Sequence, residues 1–412
     1  MLTDLYWPLV GGLEQVVRGL SHELTARGHT VAVCTLGQGE LPAREDDNGV
    51  AVLRLSGALQ RNARLFSDSH RRYAAPVPDP ESVLGLRRVM REFRPHVVHG
   101  HNWLVRSFLP LKRASGVPLV VTLHDYGRRC AKRSLYYLEE GPCSGPGIRK
   151  CPRCAGAHYG AVKGAGVAAT NWIGQAIEDR LVDMYLPISQ STAEGNGLPA
   201  ARAPHQVIPN FHRVTPERPA SAETYAEHLP AGEFVLFVGA LSRHKGLDVL
   251  LEAHARLRRP VPLVLIGSQW PGMPTLPPGV TVLHDWPHEA VRLAWERCTL
   301  GVVPSVWREP FGLVALEAMA AARPVVASDI GGLSEIVTPG ETGLLVAPGD
   351  ARQLSEAIAR LLDDPGLRVR MGGAARERVE LFSPQRIVPR IVDVYTTVSL
   401  HTSRTGDALS RS

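Results

Sequence analysis

Leu300-Gly-Val-Val-Pro-Ser-Val-Trp-Arg-Glu-Pro-Phe-Gly-Leu-Val-Ala-Leu-Glu317 reads as a strand, a loop and the start of a helix. Leu300 to Val303 is short, apolar and rich in branched residues, as buried parallel strands are, and Pro304 ends it. The spacing predicts a helix opening near Phe311-Gly312 and running to about residue 322. Backbone amides at such an opening receive a phosphate, helped by the positive end of the helix dipole. Gly312 lets a ligand come close to the backbone. Glu309 lies before the helix and Glu317 more than a turn inside it, where carboxylates accept hydrogen bonds from hydroxyl groups on either side of a diphosphate. On spacing alone, the same two residues also fit a capping Glu and an exposed helical Glu.

Outward from this stretch, the second half of the chain repeats the alternation. Phe234–Val238, Leu263–Ile266, Val280–Leu283 and Val325–Ala327 are strand candidates, and helices are expected at 246–258, 288–297 and 351–362. The first half does the same with strands at Val31–Thr35, Val50–Leu55, Val97–Gly100 and Leu119–Leu123. Its helices run from Glu14 to a stop at Gly28 and from 81 to 93. Strand, helix, strand in repetition implies parallel sheets with right-handed crossovers. At 412 residues the chain exceeds one ordinary core. The expected fold is α/β: two doubly wound, Rossmann-like domains facing across a cleft, with ligands at the carboxyl ends of the strands. Boundaries are expected at 1–212, with a Cys-rich insertion at 126–160, and at 213–383. Residues 384–401 are expected as a helix returning to the first domain, and 402–412 as a disordered tail. The segment 214–232, rich in Pro, Ala and Glu, suits a linker.

The composition, 44% hydrophobic and 21% charged, is that of a globular protein. No apolar run approaches the ~20 residues of a membrane span, and Met1-Leu2-Thr3-Asp4 lacks a secretory n-region, so the cytoplasm is the expected compartment. The net charge of +6 rests on arginine, and no stacking-aromatic motif accompanies it, which argues against nucleic acid as a partner.

The run Glu309-Pro-Phe-Gly-Leu with Glu317 resembles the Glu-x7-Glu signature of the GT4-type retaining glycosyltransferases (glycosyl transferases group 1, GT-B fold), and the likeness covers nearly the whole chain. The resemblance implies that Glu309 holds donor hexose hydroxyls, that Glu317 holds the nucleotide ribose, and that backbone at Phe311, Gly312 and Leu313 meets sugar and phosphate. A second block, Val238-Gly-Ala-Leu-Ser-Arg-His-Lys-Gly246, places Lys245 at the diphosphate, where a leaving group needs neutralisation. Many relatives carry Arg where this chain has Ala240, and Arg243 stands close enough in sequence to substitute. Ser328–Glu335 and Gly340–Asp350 resemble the closing strand and turn, with Asp350 as a helix cap. His284 stands where relatives have glycine, leaving the preferred base open.

On the amino-terminal side, Gly11-Gly12 precedes a helix and matches the Gly-Gly loop between donor phosphates and acceptor. The opening strand, Met1 to Leu5, is several residues shorter than the resemblance implies, as if the start were late or the strand clipped. His124, ending a strand, matches a family histidine beside the reacting sugar, with Asp125 a weaker acceptor contact. Asn210 matches an asparagine near the domain junction, and His99 and His101 bracket another strand end. By this reading the catalytic residues are His124, Lys245 and Glu309. No catalytic cofactor or metal is expected, the donor being a nucleotide-diphosphate sugar and the acceptor an unidentified hydroxyl compound.

Cys130, Cys143, Cys151 and Cys154 cluster in a polar, loop-like segment with one Cys-x2-Cys pair. A closed structural zinc site, unligated thiols and a redox pair are the readings open. Three rival functions remain alongside the transferase: a nucleotide-sugar epimerase of the same fold, a non-catalytic binding module, and a lipid-directed transferase. The last would dock peripherally on a membrane through a basic helix of Arg61, Arg64, Arg71 and Arg72 interleaved with Leu65 and Phe66.

Overall fold

The computed structural model describes residues 1–9, 11–62, 66, 71–213, 220–268 and 276–409. The chain folds into two compact units: residues 1–135, 144–211 and 384–412 form the first, residues 136–143 and 212–383 the second.

In the first unit, β1 (Ala32–Leu36) pairs in parallel with β3 (Val50–Leu55), which also takes the antiparallel β2 (Arg44–Asp47). A second parallel set comprises β4 (Val98–Gly100), β5 (Leu119–Leu123) and β8 (Met184–Pro187); the short hairpin of β6 (Tyr136–Tyr137) and β7 (Gly141–Pro142), between β5 and β8 in the chain, belongs to the second unit. Leu2 joins the sets, bridging in parallel to Cys34 on one side and Gly100 on the other. The opening strand is thus reduced to a single bridging residue at the centre of the sheet. Chain order runs outward one way from Leu2 through β1 and β3, then the other way through β4, β5 and β8, so the direction reverses between Leu2 and β4. Asp79 caps the helix Pro80–Phe93 by accepting from the amides of Glu81 and Ser82, and Arg94 ends it in a left-handed conformation.

The C-terminal helix, Pro384–Leu409, belongs to this first unit. It buries Val388, Ile391 and Val394, and Arg390 donates to the Val207 carbonyl at 2.8 Å. It continues through residues expected as a tail from 402.

The second unit is a six-stranded parallel sheet in the order β11-β10-β9-β12-β13-β14. The strands are β9 (Val235–Val238), β10 (Leu263–Ile266), β11 (Val280–Leu283), β12 (Leu300–Val303), β13 (Val325–Ser328) and β14 (Gly343–Val346). Branched apolar residues, buried on both faces, give the strands no alternation, as a sheet covered by helices on both sides requires. Here the chain reverses direction between β9 and β12, and that reversal decides where a ligand has room. Asp350 caps the helix Ala351–Asp363 through its side chain, as read from the sequence.

The Cys-rich segment differs from its reading. Lys150–Cys154, read as loop, begins the helix Lys150–Tyr159, which packs against a second helix, Ala161–Leu181. Gly164 makes the close approach possible, since a Cβ there would lie 2.3 Å from the Ala155 carbonyl carbon. Ala131, Ala155 and Ala168 bury together, with Cys151 packed against them and its Sγ accepting from the Gly147 amide at 3.3 Å. Among the described residues no group of three or more His, Cys, Asp or Glu side chains is arranged to hold a metal ion. The arrangement thus lends no support to the zinc site expected of Cys130, Cys143, Cys151 and Cys154. Arg64 and Leu65, and residues 214–219 of the expected linker, lie outside the described residues.

Candidate functional site

At the reversal in the second unit, the loops after β9 and β12 meet. Val306 and Trp307 donate their amides to the His244 carbonyl at 3.0 and 3.3 Å. Gly246 has φ +79°, and a Cβ there would stand 1.8 Å from the Pro304 carbonyl oxygen, so only glycine lets the two loops close this tightly. The result brings Lys245 onto Glu309. Its Nζ lies 3.0 Å from Oε1 and 2.8 Å from Oε2, and 4.9 Å over the Trp307 ring. Ser305 Oγ and Trp307 Nε1 also donate to Glu309 Oε2, at 3.0 and 2.9 Å. Burial by itself pushes the Glu309 carboxyl up. Lys245, Ser305 and Trp307 outweigh it and hold the group below its ordinary value, as a carboxylate.

Beyond Glu309, Phe311 is buried with its ring edge-on to Phe382 at 5.9 Å. Gly312, at φ +111°, caps the helix Leu313–Ala320. Leading amides, an ionised carboxylate and an ammonium group thus share one strand end, which suits an anion flanked by hydroxyls.

Glu317 sits one turn inside that helix and accepts from Trp295 Nε1 at 3.3 Å. Burial raises its carboxyl, against the pull of His288 and the Trp295 hydrogen bond. It lines a pocket of about 330 Å³ with His212, His288, Arg292, Trp295 and Arg376. Arg243 instead lies exposed, its guanidinium 3.3 Å from Asp248. His284 Nδ1 donates to the Gly267 carbonyl at 3.1 Å.

In the first unit the reversal gathers histidines. His99 sits between Tyr395 Oη (2.6 Å) and Thr122 Oγ1 (2.7 Å), and His101 Nδ1 lies 3.0 Å from His124 Nε2. Burial drives all three below the ordinary imidazole value: His99 and His101 well below, and His124 to about 3 despite the opposing pull of Asn210 as an acceptor. Asp125 Oδ1 accepts from the Gly127 amide at 2.7 Å. The Gly11-Gly12 loop does open a helix, Gly12–Ala26, but the Glu14 carboxyl folds over Gly11, where a Cβ would meet it at 2.3 Å. That helix end already carries its own acid, which burial raises toward the neutral form.

The structure thus brings Lys245, Glu309, Gly312 and Leu313 together, and separately His124 with Asn210 and His101. Sequence reasoning missed Ser305, Trp307 and Trp295. The first two stand four and two residues before Glu309, close enough for their side chains to fold back onto it.

Comparisons with known proteins give the family. The family described as glycosyl transferases group 1 matches residues 226–378, and the glycosyl transferase 4-like domain matches residues 11–182. A glycogen synthase of Mycobacterium tuberculosis (strain CDC 1551 / Oshkosh) is 29% identical over 441 residues, covering 96% of this chain and 93% of the relative. The D-inositol 3-phosphate glycosyltransferase of Arthrobacter sp. (strain FB24) is 31% identical over 409 residues, covering 93% and 90%. Among solved structures, sucrose-phosphate synthase from Thermosynechococcus elongatus superposes with a TM-score of 0.71 at 24% identity, covering 96% of this chain and 95% of that one. Anabaena HepE in complex with UDP and glucose gives 0.66 at 18% identity, covering 96% and 98%. The chain is a glycosyltransferase of the GT-B fold and belongs to the glycosyl transferases group 1 family.

Proposed function

We propose that this glycosyltransferase moves a hexose from a nucleoside-diphosphate sugar to a hydroxyl acceptor with retention of anomeric configuration. The observation that carries the reading is the Lys245–Glu309 pair at the switch point of the second unit, beside the Gly312 helix opening. Lys245 and the helix amides would take the diphosphate, Glu309 the hexose hydroxyls, and Glu317 the ribose. In the transfer, the bond between the anomeric carbon and the diphosphate oxygen breaks. The acceptor oxygen bonds to the same face, and its proton passes to the departing phosphate oxygen. Gly11, Gly12 and Asn210 are assigned to binding the donor and His124 to the reacting sugar, while Arg243, turned to Asp248, would join the diphosphate only by breaking that exposed pair. Two solved structures support the choice of donor, HepE having been crystallised with UDP and glucose and with UDP-glucose.

A panel of nucleoside diphosphates and their sugars in thermal unfolding tests the reading. One base should raise the midpoint, since a ligand at a hundredfold excess over Kd adds about 2.7 kcal/mol of stability. A flat response across the panel would sink it. Glu317→Ala should weaken binding of that nucleotide about 10- to 100-fold in titration calorimetry, with unfolding unchanged. Equal affinities would remove Glu317 from the ribose site.

A further inference from the structure

The helix Ala161–Leu181 carries a second apolar face. Its buried side, Gly164, Ala168, Asn171, Gly174 and Glu178, packs inward. At 100° per residue, Val162, Ala165, Ala169, Ile173 and Ile177 fall on the opposite side, and every one of them is exposed. Val162 is 91% exposed and Ile173 61%, while Ile148, just before the preceding helix, is 83% exposed. The stripe runs about 22 Å along the helix. Apolar residues scattered singly need no explanation, but a continuous stripe of this length marks a contact surface.

Charge indicates what covers it. Between Gly141 and Ile177 there is no Asp or Glu, while Arg149, Lys150, Arg153 and Lys163 all fall within that span. Arg149, Arg153 and Lys163 are exposed. A second copy docked through the same patch about a two-fold axis would set these cations against their equivalents, which disfavours self-pairing. Exposed aliphatic side chains in a segment whose Lys and Arg are balanced by no Asp or Glu match the acyl boundary and headgroups of an anionic bilayer. Among the described residues no helix is long and apolar enough to cross a membrane, so the contact would be peripheral.

We infer that the helical pair 150–181 is a docking surface for an anionic lipid bilayer. It is independent of the donor site and stands or falls separately from the proposed chemistry. The test is sedimentation of the full chain with phosphatidylcholine vesicles, with and without about one third phosphatidylglycerol. Wild type should sediment with the anionic vesicles only, and binding should weaken as salt is raised. The pair Val162→Asp and Ile173→Asp should reduce partitioning at least about tenfold, with thermal unfolding and nucleotide binding unchanged. Arg149→Ser with Arg153→Ser should reduce it too, and provides an independent variant if the first misfolds. Wild type remaining in solution with anionic vesicles would overturn the proposal. So would variants that bind like wild type, or a concentration-dependent dimer that the aspartates abolish, which would give the face to a second copy.

Discussion

Lys245→Met should lower turnover about 10²- to 10³-fold while changing apparent donor affinity much less. Negative charge grows on the diphosphate as the glycosidic bond breaks, so a fixed cation interacts more strongly with the transition state than with bound donor. Methionine keeps most of the side-chain volume over Trp307, so loss of packing stays small. The substitution does remove the principal counter-charge of Glu309, which then keeps only Ser305 and Trp307 as partners in a buried setting. Removing one member of a buried pair costs about 3–5 kcal/mol, so unfolding must be measured alongside kinetics. The double variant Lys245→Met with Glu309→Gln separates the effects, because it removes both charges. It should regain stability and not turnover. A loss confined to the donor KM would make Lys245 a binding group only.

Acid should destabilise the first unit through His99, His101 and His124. In the unfolded chain each titrates near 6.5, whereas burial keeps all three neutral in the fold far below that, His124 to about 3. The unfolded state therefore takes up protons first as pH falls. The stabilisation from the neutral rings is complete above about pH 6.5 and is lost progressively toward pH 3, by up to about 1.4 kcal/mol per pH unit for each histidine. Asp4, Glu14 and Asp125, raised by burial, act in the opposite sense. The histidine share is therefore isolated as the difference between wild type and His101→Gln in denaturant titrations at pH 5, 6 and 7.5. Superimposable stability profiles would remove His101 from the effect.

Alternation of strand and helix made both sheets legible in the sequence, because a strand covered on both faces has little choice but branched apolar residues. The boundaries of β5, β10 and β12, buried along their whole length, agree with their reading for that reason. Spacing also marked Glu309 and Glu317, but not their pairing. The Lys245–Glu309 contact joins loops 64 residues apart through Gly246 and Pro304, and only the order of β9 and β12 in the sheet brings them together. The helical pair 150–181 was illegible for a different cause. Gly and Ala are poor markers of a packed face, yet their small size is what lets these helices touch at Gly164. Clustered cysteines drew attention to metal chemistry instead.

The C-terminal helix begins at residue 384 yet packs within a unit whose strands are all made before residue 188. On the ribosome, the segment 212–383 is finished while its predecessor still waits for its last helix, with His99 lacking Tyr395 and the hydrophobic groove beneath it uncovered. The order of emergence and the order of completion are thus inverted. A stop codon ahead of residue 384 should leave its damage at the opposite end of the polypeptide, and newly made chains should depend on holding chaperones late in synthesis.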